Sequence, residues 1–269
     1  MARIRVRHTR IVSLLALSAV LAPLTGCGAG GTAPVAGPGA AGREPVVVAT
    51  TTWEGAFARA AGAEDVTVLV PPSVRHAPDY EPKPSDLAAV AKADFVLYAP
   101  FEPYAAKIKE AAGSRAELVE VGLDNDPAEA GAEVLRLGGL FGTKDAAARW
   151  KDRLDREVTR LNGELRAAWP GGRSPAVVSQ VFTAWAAGLA GARTVGTYGP
   201  EPVTPARLAE LTAKRPAYVL DNAHMSTGTV LPGSGARQVG IVNYPGEDLD
   251  LLAVYRGAAT ELKKAMGGS

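Results

Sequence analysis

Two histidines beyond the first ten residues, His76 and His224, are the side chains best suited to metal chemistry. A zinc-like ion takes imidazole nitrogen and carboxylate oxygen in a near-tetrahedral set. His76 lies in a loop rich in proline and aspartate, shortly before Asp79 and Glu81. His224 closes the run Asp221-Asn222-Ala223-His224, just past a strand-like segment at 218–220. A site using both would join His76 to Asp221 or His224, with Asp79 or Glu81 as a further donor. Both histidines would serve equally well as surface loop residues with no ligand. A second group suits another cargo. Residues 50–54 read TTTWE, and the hydroxyl of Thr51 with the indole of Trp53 fits a polar organic solute, although Trp53 fits a core position at a helix start just as well. Glu102 and Tyr104 share this geometry after a later strand. No Gly-x-Ser-x-Gly elbow, phosphate loop or His-Glu-x-x-His motif is present, and Ser226 and Thr227 beside His224 make only a weak signal. An enzyme is not expected.

The elements that must position these residues alternate between strand and helix. Residues 46–50, 66–70, 95–98 and 118–121 read as strands, with helices at 53–61, from Ser85, and at 104–112. That alternation predicts a parallel sheet with helices on its faces. Asp124-Asn125-Asp126 reads as a turn and helix cap, since the Gly and Glu of a calcium loop do not follow at the required spacing. From 143 to 169 the strand signal stops. Trp150, Leu154, Val158, Leu161, Leu165 and Trp169 fall on one side of a single helix of about seven turns. Alternation then resumes, with strands at 176–179, 194–197, 218–220 and 239–242 and helices at 181–189, 205–212 and 249–266. Trp150 and Trp169 belong to the helical stripe and are expected in the core. The expected fold is α/β: two lobes, each a small parallel sheet flanked by helices, joined by one long rigid helix with a ligand cleft between. Ligands of such sheets bind beyond the carboxyl ends of the strands.

The first ten residues carry Arg3, Arg5, Arg7 and Arg10 and no acid, and an apolar run follows to Leu24. This is the order of a secretory signal, too short to span a bilayer comfortably. It ends in Leu24-Thr25-Gly26-Cys27, which resembles the lipobox of bacterial lipoproteins, where the cysteine sulfur takes a diacylglycerol and the chain is cut just before that residue. The alternative is an ordinary signal peptide with a chance cysteine. Cys27 is the chain's single cysteine, so the folded part has no disulfide, thiolate metal site or cysteine nucleophile. The organisation expected is a signal peptide at 1–26, lipidated Cys27 and a flexible Gly/Ala/Pro tether at 27–44, a first lobe at 45–142, the linking helix at 143–169 and a second lobe at 170–269. With the four leader arginines set aside, the 29 basic residues fall to 25 against 28 acidic ones, a net charge near −3. A nucleic-acid partner would need a basic patch, and none is expected.

Several segments in order resemble the solute-binding lipoproteins of zinc- and manganese-type ABC importers. They are Leu69-Val70-Pro71-Pro72, YEPKPSD at 80–86, residues 94–98, Asp126-Pro127 with Ala130, and Glu201-Pro202 before LAEL at 208–211. The resemblance implies two lobes on a stiff helix that moves little on loading, and zinc or manganese carried as transported ligand. It also implies an ABC permease and its ATPase as partners, a monomer, and anchoring on the extracytoplasmic face of the cell membrane. Three histidines and a carboxylate typically hold the family's metal. Here His76 sits four residues before Tyr80 where two is usual, and the later ligand positions fall on Gly122, Gln180 and Asn243. Neutral amides bind such ions poorly, and with only His76 and His224 beyond the leader a three-histidine site is impossible within one molecule. Asp221 matches a carboxylate often found at its strand end in the family. The metal candidates are therefore His76, Asp221, His224 and Glu81. Thr51, Trp53, Gln180 and Asn243 form the set for an alternative cargo, a metal chelate or small polar organic solute. A surface adhesin or accessory lipoprotein with a vestigial cleft is the reading from another class.

Overall fold

A computed structural model describes residues 43–267 apart from 72, 75, 76 and 227. The leader, the expected tether up to residue 42, Cys27 and His76 lie outside the described residues. The first lobe runs β1 (Val46–Ala49), α1 (Thr52–Ala61), β2 (Asp65–Val68), α2 (Pro84–Val90), β3 (Phe95–Tyr98), α3 (Ala105–Ala112) and β4 (Glu117–Glu120). Helices α4 (Pro127–Phe141) and α5 (Lys144–Ala167) follow. The second lobe contains β5 (Ala176–Gln180), α6 (Ala184–Leu189), β6 (Arg193–Tyr198), α7 (Pro205–Ala213), β7 (Tyr218–Asn222), β8 (Arg237–Ile241) and α8 (Leu251–Gly267).

Both sheets are parallel and share one topology. The first is ordered β2-β1-β3-β4 and the second β6-β5-β7-β8. In each, the chain reverses direction of travel between the two middle strands. That switch point opens a crevice at their carboxyl ends, where such sheets take ligands. Strand alternation divides the apolar side chains between two sides. Val47, Ala49, Phe95, Leu97, Val177, Tyr218 and Leu220 face a central cluster. Val48 and Val96 face an outer cluster with Ile108 of α3, and Val178 and Val219 face another with Leu211 of α7.

The central cluster is common to both lobes. Phe57 of α1, Leu137 of α4, Leu154 and Leu165 of α5, and Trp185 and Tyr255 of the second lobe all belong to it. At 24 residues, α5 is about 36 Å long and packs against α1 and α4 on one side and α6 and α8 on the other. Its expected stripe is buried at Trp150, Leu154, Leu161 and Leu165, while Val158 and Trp169 are partly buried against the same cluster. Two glycines permit close approach. A Cβ at Gly138 would fall 2.4 Å from Ala147, and one at Gly55 would fall 3.2 Å from Leu249 of the second lobe.

One helix start differs from the sequence reading and another agrees with it. Helix α2 begins at Pro84 rather than Ser85; proline's fixed φ suits the first helical position, and the Lys83 amide donates to Asp86 at 2.7 Å. The cap expected at 124–126 opens the fifteen-residue α4, with the Asp126 carboxylate accepting from the amides of Ala128 and Glu129.

Polar groups along the seam between lobes satisfy one another. The Trp53 indole donates to Asn125 Oδ1 at 3.2 Å, and Asn125 Nδ2 donates to the Asn243 carbonyl at 2.9 Å. The Asn243 side chain in turn accepts from the Trp185 indole at 3.0 Å and donates to the Phe182 carbonyl at 2.9 Å. All the side chains of this relay are buried. Replacing Asn125 with Ala strands the Trp53 N–H and the Asn243 carbonyl, at about 1–3 kcal/mol for each group left unpaired. Denaturant unfolding of Asn125→Ala should show that loss as a lower midpoint. Fluorescence of Trp53 and Trp185 should still report one common transition, because one core serves both lobes.

Candidate functional site: the interlobe switch points

Thr51 ends the loop after β1 in extended conformation and caps α1, its Oγ1 accepting from the Trp53 amide. Glu54, three residues on, completes a capping box: its Oε2 accepts from the Thr51 amide at 3.1 Å and from the Thr51 hydroxyl. A capping-box glutamate on a surface helix keeps its other oxygen in water. Here Glu54 has no exposed surface, and its Oε1 has no hydrogen-bond partner. Burial pushes its pKa up, only partly offset by its hydrogen bonds.

A second carboxyl group, Glu102, comes from the loop after β3, the other strand of the first lobe's switch point. Its Oε2 accepts from the Ala99 amide at 3.1 Å and its Oε1 from the Tyr104 hydroxyl at 3.0 Å. Burial first, and then the charge of Glu54 nearby, push Glu102 up to about 7. Thr50 is the residue between β1 and this cap. Its hydroxyl is fully buried, close enough to both carboxyls to draw their pKa values down, yet makes no hydrogen bond of ordinary geometry. Burial and the same two carboxylates raise the pKa of Tyr244, which reaches this group from the loop after β8.

Tyr244 also links the lobes through rings. Its centroid lies 5.0 Å from Trp53 and 4.6 Å from His224, edge-on in both cases. His224 therefore sits at the second lobe's side of the cleft, its pKa lowered by desolvation and its amide donating to Asn222 Oδ1.

The structure brings some sequence candidates together and separates others. Trp53 and Asn243 are joined through Asn125, Thr51 is joined to Glu54, and His224 reaches Trp53 through Tyr244. Asp221 is buried but engaged, accepting from the Tyr198 hydroxyl at 2.6 Å and from Gln238 at 2.9 Å. Gln180 caps the turn after β5 by accepting from the Phe182 amide at 2.6 Å. Glu81 lies on the surface, paired with Lys107 at 3.0 Å. Among the described residues no three of His, Cys, Asp or Glu are placed to hold a metal ion together. Sequence reasoning missed Asn125 and Tyr244 as site residues, since neither has a local pattern to mark it. The Thr-x-x-Glu spacing of a capping box is the signal that could have marked Glu54.

This architecture defines a fold class: two α/β lobes, each a four-stranded parallel sheet flanked by helices. Three solved structures share the fold. The laminin-binding protein Lmb of Streptococcus agalactiae, described as bifunctional with adhesin and metal-transporting activity, is 17% identical with a TM-score of 0.60, covering 81% of this chain and 99% of that one. FpvC of Pseudomonas aeruginosa, in complex with Mn2+, is 15% identical with a TM-score of 0.60, covering 83% and 98%. A zinc-bound deletion mutant of ZnuA is 19% identical with a TM-score of 0.58, covering 84% and 100%. Residues 47–139 match the family model ZnuA, the periplasmic zinc-uptake complex component A. The resemblance carried by the sequence motifs thus holds in sequence over the first lobe and in fold over both. No curated protein matches the chain in sequence.

Because Glu102 in the fold holds its proton to about pH 7, the folded protein binds a proton there that the unfolded chain releases in the ordinary carboxylate range. Stability of chelator-treated protein should therefore fall as pH rises through that window and level off above about 7. Thermal melts across pH should show this slope, and Glu102→Gln should flatten it.

Proposed function

We propose that this protein is the extracytoplasmic receptor of an ABC importer and that its cargo is a metal cation, zinc or manganese. The observation that carries this is the cleft itself. Two like sheets turn their switch points toward one seam, lined by aromatic groups from both lobes and by the Glu54 and Glu102 carboxyls of the first. The family match over the first lobe and the metal-loaded neighbours support the same cargo. In this reading Cys27 carries a lipid anchor, and an ABC permease and its ATPase receive the cargo. His224 on the second lobe and His76 from the loop after β2 supply nitrogen donors, with Glu81 and Asp221 as the carboxylates named with them.

A specific observation favours a second cargo. Phe101, Phe182, Met225 and Val242, each following a strand's carboxyl end, are exposed together with Tyr244. A rim this apolar suits a metal chelate or an organic solute better than a bare ion.

The full chain, purified in detergent and stripped with chelator, tests these readings by elemental analysis and calorimetry with zinc and manganese. Stoichiometric binding that His76→Ala or His224→Ala weakens at least about tenfold supports the metal receptor. No binding of either ion retires the bare-ion reading and leaves the chelate or organic one. Deletion of the gene should lower uptake of the bound cargo, and unchanged uptake would sink the importer assignment.

A further inference from the structure

The structure assigns Glu54, Glu102 and Thr50 to a cation site built from oxygen alone, and we propose that its occupant is a hard divalent ion of the manganese, calcium and magnesium class. The biological use of this site rests on the receptor reading above; its chemistry does not.

Three observations meet at one place. Glu54, in the first turn of α1, and Glu102, in the loop after β3, follow the two strands that flank the first lobe's switch point, and both are buried. Glu54 Oε1 is a buried oxygen with no hydrogen bond of ordinary geometry, the Thr50 hydroxyl being the donor group near it, although the other oxygen of the same carboxyl accepts two hydrogen bonds. The Thr50 hydroxyl is fully buried beside both carboxyls and makes no hydrogen bond of ordinary geometry to either. Buried polar atoms in folded proteins are nearly always hydrogen-bonded, and a buried carboxylate without a countercharge is more costly still. Among the described residues no Lys or Arg forms an ion pair with either carboxyl. Two unpartnered oxygens beside a second carboxyl mark a place where positive charge is missing.

The donor set selects the ion. Glu54 Oε1, Thr50 Oγ1, the Glu102 carboxylate and the adjacent Tyr104 hydroxyl are all oxygen, with no sulfur and no imidazole. Such sets suit manganese, calcium and magnesium, whereas zinc favours nitrogen and sulfur. The backbone has already fixed the carboxyls: the Thr51 and Ala99 amides each hold one of their oxygens. Tyr244, from the other lobe, lies near enough to sense both charges. An ion bound here would therefore register at the interlobe seam.

The competing account is that the pair simply shares a proton, as two close carboxyls do. Chelator-stripped full chain in detergent, titrated with Mn2+, Ca2+, Mg2+ and Zn2+, separates the two. A parallel titration with Tb3+ reads luminescence excited through Trp53, Tyr104 and Tyr244, which requires the ion to lie beside those rings. The expected result is Mn2+ binding and sensitised Tb3+ emission, both weakened by Glu54→Gln by at least the roughly 10- to 100-fold that loss of even a supporting residue costs. Glu102→Gln and Thr50→Val, checked for folding by circular dichroism, give the same test should Glu54→Gln not fold. Ion binding that survives Glu54→Gln but is lost in His224→Ala overturns this site and leaves the receptor reading standing. Absence of any ion binding, together with a higher melting temperature for Glu54→Gln, overturns it in favour of the shared proton. Binding lost in Glu54→Gln, with cargo uptake independent of this protein, upholds the site and rejects the receptor reading.

Discussion

Neither sheet of this protein has a complete core of its own on its inner side. The apolar faces of both turn to the same layer of helices, in which α5 touches α1 and α4 of one half and α6 and α8 of the other. Burying that shared layer is the constraint on which the rest depends. At about 25 cal/mol for each Å² of apolar surface removed from water, separating the halves would expose a large apolar area with no compensating contact. The cleft geometry is therefore set by core packing. Surface ion pairs such as Glu164 with Lys263 add little, because water screens them.

A dry seam between two halves leaves polar groups that water cannot reach. The relay from Trp53 through Asn125 and Asn243 to Trp185 answers this by pairing each donor with an acceptor. An asparagine suits both middle positions because its amide donates and accepts at once. The outcome is a seam that tolerates burial and also fixes how the lobes face each other. Tyr244 uses that fixed geometry to touch Trp53 on one side and His224 on the other.

Among the described residues three buried side-chain oxygens lack a partner: the Tyr255 hydroxyl in the shared core, and two together at the first lobe's switch point. Thr50 and Glu54 are as buried as the seam asparagines, yet each has an oxygen left unpaired. Glu102 adds a second negative group where one is already expensive. The Thr51 and Ala99 amides show that the backbone holds these carboxyls in place, so the arrangement is built rather than incidental.

Much of the fold was legible in the sequence because the signals are local. Continuous valines at 46–48 mark a buried parallel strand, the four- and three-residue spacing from Trp150 to Leu165 marks one face of α5, and the aspartates at 124–126 mark a helix start. Each of these depends on neighbours within a turn or two of chain, and the ordered motifs from 69 to 211 carried the family resemblance in the same way. The site was legible only in part. Thr51 and Trp53 were placed at the cleft by their position after β1, and His224 by its position after β7. The engagement of Asp221 by Tyr198 and Gln238, and of Glu81 by Lys107, could not be read from spacing. The bond from Asn125 to Asn243 spans 118 residues, and the meeting of Glu54 with Glu102 and Tyr244 crosses strands and lobes. By itself the sequence determined which segments are strands and helices, because backbone periodicity is written in adjacent residues. Only the tertiary structure decided which polar groups are left without partners, because that depends on which distant segments the shared core brings together.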